Sequence, residues 1–255
     1  MPHKNFSKKA LLTALTIVTA TSYAPMGYAA LVNYSQNFES LNAISSTALS
    51  DAGFVVYSNT YTDQGLTNLV SSTGPNPGRN DYRAYAQVAS GEGDLTQGNQ
   101  QLFAFSNYLN PDQSTHYIDA LTLQQQTIGA DDLGSTWSFS FDARQGDISG
   151  TSSASAWIRA IDGGNTLGET RLDTSSLGIN WGNHSVSLLI DPSWDGKTLE
   201  FGVKSAATGY AASGVYYDNF SLTGPPAVPV PAAIWLFGSG LLGMVGLARR
   251  RRDEP

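Results

Sequence analysis

The chain contains no cysteine, and that absence removes disulfides, thiolate metal sites and cysteine nucleophiles together. Charge is also scarce: Asp, Glu, Lys and Arg make up 14% of the 255 residues, against roughly a quarter in ordinary globular chains. Of that charge, little is basic, with 14 Lys and Arg against 21 Asp and Glu. Phosphate binding needs clustered Lys and Arg, so the acidic balance argues against a nucleic-acid partner. What is abundant is Gly, Ser, Thr, Asn and Gln, together with 12 Tyr, 10 Phe and 5 Trp, which is too aromatic for a disordered tail.

The charge is unevenly placed. Residues 30 to 225 hold 7 basic and 19 acidic side chains, a net −12, while both ends are basic. Residues 1–29 read as a secretory signal peptide. Lys4, Lys8 and Lys9 form its positive start, Ala10 to Ala20 its apolar run, and Gly27-Tyr28-Ala29 a cleavage site after Ala29 or Ala30. At the other end, residues 225–231 are a Pro-rich spacer whose prolines disfavour helix. Residues 232–248 are uncharged and reach about 25 Å as a helix, the short end of a membrane span. The basic tail 249–255 sets the expected orientation, with the tail cytoplasmic and the domain outside.

The order of these elements is specific. Val228-Pro229-Val230-Pro231-Ala232, an apolar stretch and then Arg249, Arg250, Arg251 and Arg252 resemble the PEP-CTERM sorting signal, in the VPLPA-type variant. Val230 stands where that family has Glu or Leu. The resemblance implies recognition by exosortase, a membrane-embedded cysteine protease-transpeptidase. After signal peptidase has acted at the N-terminus, that enzyme would remove the tail. The domain would pass from a transient inner-membrane anchor to the surface or extracellular matrix of a Gram-negative bacterium. Within the tail, Gly238-Ser239-Gly240-Leu241-Leu242-Gly243 fits a dinucleotide fingerprint, but it lacks the preceding strand and following βαβ unit. Its glycines suit close helix approach in a membrane.

Residues 30–224 show apolar alternation with period two rather than a helical period. Trp137, Phe139 and Phe141 share one face, and Ala156, Ile158 and Ala160 alternate against Trp157, Arg159 and Ile161. Leu199, Phe201 and Val203 form another inward set, and Tyr216, Asp218, Phe220 and Leu222 the last. Weaker strands are expected near residues 34–38, 54–57, 82–88, 102–108, 118–123 and 186–190, separated by Gly-, Pro- and Asn-rich turns. Such a pattern predicts an all-β, two-sheet antiparallel β-sandwich of the jelly-roll kind. No internal repeat suggests a propeller or solenoid.

Asn37-Phe38-Glu39-Ser40 near the start and Tyr216-Tyr217-Asp218-Asn219-Phe220-Ser221-Leu222 at the end resemble the jelly-roll carbohydrate-binding modules and galactose-binding-like domains. In several such modules a first-strand acid and a last-strand Asp hold structural calcium. The resemblance places that role on Glu39 and Asp218, the alternative being two edge carboxylates in solvent. Asp191 to Gly196 imitates the start of a calcium loop, but Gly202 stands where the closing Glu belongs, which favours a plain turn.

Catalytic motifs are missing. His116 and His184 form no metal pair, no nucleophile elbow is present, and the abundant acids sit in turns. Candidate sugar-stacking residues are Trp157 with Arg159, Tyr82, Arg83 and Tyr85, Trp181 and Trp194. The resulting expectation is a non-enzymatic exported protein of the exopolysaccharide or biofilm matrix. The rivals are a carbohydrate-binding module with a specific glycan and a secreted hydrolase.

Overall fold

The computed structural model describes residues 30–74, 84–106, 117–208 and 211–226. The expected signal peptide and the sorting motif with its helix and Arg cluster lie outside them. So do Tyr82, Arg83 and His116. Among the described residues no helix is long and apolar enough to cross a membrane.

Among the described residues twelve strands, one short α-helix and one 3-10 turn follow each other as β1 (Tyr34–Gln36), α1 (Ala48–Asp51), β2 (Val55–Tyr61), β3 (Leu69–Thr73), β4 (Ala84–Ser90), β5 (Gln100–Ser106), β6 (Tyr117–Thr127), the 3-10 turn (Ala130–Asp132), β7 (Thr136–Ile148), β8 (Ser153–Asp162), β9 (Asn165–Asp173), β10 (Gly182–Leu189), β11 (Thr198–Thr208) and β12 (Ser213–Thr223). They form two six-stranded sheets whose described pairings are all antiparallel. The first sheet runs β10-β7-β12-β5-β4, with β1 also on β12, and the second runs β3-β2-β6-β11-β8-β9.

Alternation explains which face each strand buries. Phe139 and Phe141 on β7, Ala156, Ile158 and Ala160 on β8, and Leu199, Phe201 and Val203 on β11 are all within 1% of full burial. Period-two side chains put one set on each face, and the apolar set meets its counterpart from the other sheet. Phe220 is the centre of the aromatic core: its ring lies 5.0 Å from Phe139, 5.4 Å from Phe38 and 6.1 Å from Phe54. Phe201 of the second sheet meets Phe139 at 5.3 Å and so joins the two layers. Pairs at these separations add about 0.5–1.5 kcal/mol each beyond their area burial.

Two backbone irregularities position the surface. Phe38 adopts a left-handed backbone, φ 59°, which sends its ring inward while Glu39 remains at the surface. On β12, three steps from Asp218 to Ser221 oppose two steps from Asp142 to Ser140, a bulge at Asn219, whose φ is 48°. The expected single inward face of β12 is therefore corrected. Val215 and Tyr217 point inward before the bulge and Phe220 and Leu222 after it, so Tyr216 and Asp218 face outward.

Candidate functional site

The connection between β4 and β5 folds over the outward side of Asp218. Glu39 anchors it, its Oε1 accepting the Asn99 and Gln100 backbone N–H groups, each at 2.7 Å. Gln97 donates from Nε2 to Asp142 Oδ2 at 2.8 Å, and the Asn219 side-chain amide donates both to Asp142 Oδ2 and to the Thr96 carbonyl. Burial pushes the Asp142 carboxyl up, but the amide donors from Asn219, Asn183 and Gln97 outweigh it and hold the group below the ordinary range.

Asp218 is in a different condition. It is fully buried, and among the described residues its Oδ1 accepts one hydrogen bond, from the Asn219 backbone N–H at 2.6 Å. Burial first, and then the charges of Asp142 and Glu39, raise its carboxyl to about 7. Among the described residues its Oδ2 has no partner, and neither does the buried Oε1 of Gln97. Two buried acceptors without donors leave a deficit that a proton or a cation fills.

Beside this loop the outer face of the first sheet carries a row of rings. Pairing places Gln87, Phe103, Tyr216 and Arg144 side by side across β4, β5, β12 and β7. Phe103 stacks on Phe105 at 4.6 Å and on Tyr216 at 4.4 Å, with interplanar angles of 27° and 21°. The Arg144 guanidinium continues the row, 4.5 Å from the Tyr216 ring centre and 5.6 Å from that of Trp181. Arg144 also pairs with Glu92, and Trp181 Nε1 donates to the Glu92 carbonyl at 3.1 Å. All four rings are partly exposed.

Glycine makes this row possible. A Cβ on Gly214 would stand 2.4 Å from Phe103 Cζ, and one on Gly146 would stand 3.1 Å from both Phe103 and Tyr216. The rings therefore lie flat on bare backbone. Leu95 on the β4–β5 loop and Ile179 two residues before Trp181 are 99% and 75% exposed, so both flanking loops offer apolar side chains to solvent.

The outer face of the second sheet is ionic. Trp157 points outward as its alternation requires, yet it is only 1% exposed, so it is corrected from a stacking platform to a covered residue. Arg159 lies over it at 5.2 Å and is committed to Glu200 at 2.7 Å, with Glu169 at 3.7 Å. Gln125 adds a bond to the other Glu200 oxygen at 2.7 Å. Arg159 thus ties neighbouring strands together and is not free to meet a ligand.

Trp194 is part-buried against the core and lies over β9, where a Cβ on Gly168 would stand 2.5 Å from its ring. It fills a gap beside the sheet edge. Trp157 and Arg159 do meet, but as a covered ring beneath an ion-paired cation, whereas Trp181 is brought together with partly exposed rings that the candidate list lacked. Phe103, Phe105, Tyr216 and Arg144 escaped the sequence reading. Their signal was present in β5, where Phe103 and Phe105 alternate against the buried Leu102 and Ala104 and so occupy a face normally polar.

No family model matches the chain, and no curated protein matches it. Solved structures similar to it include the carbohydrate-binding module TmCBM61 in complex with β-1,4-galactotriose, with 12% identity over 54% of this chain and 81% of that one, at TM-score 0.33. An apo cyclase from Fischerella sp. has 15% identity over 81% and 93%, at TM-score 0.40. The enzymatically active domain of bacteriophage CBA120 tailspike protein 4 has 14% identity over 55% of this chain, at TM-score 0.37, and this chain spans 18% of that one.

Proposed function

We propose that this chain is an exported, non-catalytic protein that binds polysaccharide through the ring row of the first sheet. The observation that carries the reading is the flat, partly exposed sequence Phe105–Phe103–Tyr216–Arg144–Trp181. Sugar rings present apolar C–H faces, and aromatic planes bury them at low entropic cost because each ring has only two rotatable side-chain bonds. Arg144, held between two rings and paired with Glu92, supplies fixed donors for ring hydroxyls.

Calcium is the proposed structural cofactor. Asp218 Oδ2, the Gln97 Oε1 and Glu39 are the side chains that would hold it, with backbone carbonyls completing the set. Hard oxygen donors suit that ion, and a disulfide-free exported domain gains a second tie between its first and last strands. Among the described residues no group of three or more His, Asp or Glu forms a side-chain cage, so the carbonyls are essential to this assignment.

Delivery follows from the ends of the sequence: signal peptidase at residue 29, then exosortase at Val228–Ala232, with the processed domain held in the exopolysaccharide or biofilm matrix outside the cell. Replacing Pro229 and Pro231, or deleting residues 249–252, leaves unprocessed protein in the inner membrane. Normal release of both variants would overturn the sorting assignment. The binding assignment is tested by retention on a panel of insoluble and soluble polysaccharides, comparing the native domain with Trp181→Ala.

A further inference from the structure

The second sheet has its own cleft on the face opposite the ring row. It measures about 440 Å³ and is lined by Ser153 and Ser155 on β8, Arg171 and Asp173 on β9, Lys204 on β11 and Leu66 of the β2–β3 turn. β3 and β9 are opposite edges of this sheet. The β2–β3 hairpin therefore reaches across the sheet face to wall the cleft. Its turn is braced by Asp63, whose carboxylate accepts the Thr67 and Asn68 backbone N–H groups.

The floor of this face is polar and ionic. Lys204 Nζ lies 2.8 Å from Asp119 Oδ2, Asp119 is 1% exposed, and the Tyr61 hydroxyl of β2 faces the same carboxylate. Ser155 lies opposite both Lys204 and Asp173 in register, and Arg171 Nη1 donates to its hydroxyl at 3.4 Å. The cations do not select an anion, because Lys204 is paired with Asp119, Arg171 with Glu169, and Asp173 shares the cleft. Fixed donors beside fixed acceptors, with cancelling charge, match vicinal hydroxyls, each of which both gives and takes a hydrogen bond.

We infer that this cleft is a second, independent saccharide site for a neutral hydroxyl-rich sugar, so that one domain bridges two glycan chains. The two surfaces lie on opposite layers of the sandwich and share no side chain, so both can be filled at once. A bridging domain raises its apparent affinity for a matrix by multivalency and links separate chains into a network. This bridging rests on the ring-row assignment, whereas the cleft itself does not.

The test is titration calorimetry with β-1,4-galactotriose, cellotetraose and mannotetraose, using whichever binds, followed by turbidity with the parent polysaccharide. The native domain takes two sugars per chain. The pair Arg171→Gln with Asp173→Asn, on the exposed edge strand, takes one, and Phe103→Ala with Trp181→Ala takes the other. Only the native domain produces turbidity, and thermal melting confirms that each variant is folded. Native-like stoichiometry in the Arg171/Asp173 variant, or a single native site abolished by the Phe103/Trp181 variant, overturns the cleft. A single native site lost only in the Arg171/Asp173 variant keeps the cleft but overturns the ring row and the bridging. Binding of no oligosaccharide by any form overturns both.

Discussion

The indole Nε1 of Trp181 donates to the backbone carbonyl of Glu92 at 3.1 Å, joining the β9–β10 connection to the β4–β5 loop. Between those segments sits Arg144, paired with the Glu92 carboxylate and placed between the Trp181 and Tyr216 rings. One loop therefore shares its contacts between the ring row and the Glu39–Asp218 cluster, since Gln97 and Thr96 belong to it as well.

Arg144→Met keeps the length of the side chain and removes its charge. It breaks the pair with Glu92 and the interaction with both rings, each worth about 0.5–2 kcal/mol in a partly buried setting. The expected result is about a tenfold weaker glycan affinity with the fold retained, read by calorimetry and circular dichroism. Unchanged affinity would remove Arg144 from the site.

Two glycines separate platform geometry from fold. A Cβ on Gly202 would stand 2.2 Å from the Thr122 carbonyl and 2.7 Å from Leu123 Cα, both backbone of the adjoining strand. Gly202→Ala therefore costs about 3 kcal/mol or more and yields little folded protein. In Gly214→Ala the obstruction is the Phe103 ring, which can swing. That variant folds with a loss of about 1–2 kcal/mol and weaker sugar binding. Urea unfolding and affinity measurements on both variants check the contrast.

Much of the sandwich was legible because alternation survives where strands are central. β7, β8 and β11 could be oriented from Phe139, Ile158 and Phe201 alone. β3 and β9 could not be read, because edge strands bury little: every residue of β9 is exposed or only partly buried. β12 was misread at one point, since Asn219 inserts an extra residue and reverses which residues face inward. Trp157 shows that outward is not the same as exposed. The ring row was hidden for another reason: residues 103, 105, 144, 181 and 216 meet only through pairing and loop packing.

Calcium removal gives the third prediction. If Glu39, Gln97 and Asp218 hold the ion, a saturating ligand at a hundred times its dissociation constant stabilises the fold by about 2.7 kcal/mol. Chelation then lowers the melting temperature by roughly 5–10 °C for a domain of this size. Asp218→Asn melts at the same temperature with and without chelator. A native melting temperature indifferent to chelator and to added calcium would contradict the assignment.

Alkaline stability gives the fourth. The Tyr217 hydroxyl is buried and hydrogen-bonded to Thr174 Oγ1 at 2.6 Å, and burial pushes its ionisation well above the ordinary tyrosine value. The unfolded chain loses this proton near pH 10, whereas the folded chain keeps it. The contribution is therefore complete below about pH 10 and declines as pH rises further, at roughly 1.4 kcal/mol per pH unit. Tyr217→Phe loses about 1 kcal/mol at neutral pH with its hydrogen bond, yet loses less stability between pH 10 and 11.5. Urea midpoints across that range read the difference, and parallel curves would contradict it.

The central claim is that partly exposed rings on the first sheet bind sugar. Its most direct measurement is the dissociation constant, for the retained polysaccharide, of the domain with its ring row intact beside that of a variant carrying Phe103→Ala, Tyr216→Ala and Trp181→Ala. With the second-sheet cleft disabled by Arg171→Gln and Asp173→Asn in both proteins, the account predicts saturable binding by the first and at least a hundredfold loss in the second. Equal affinity in two folded proteins would contradict it.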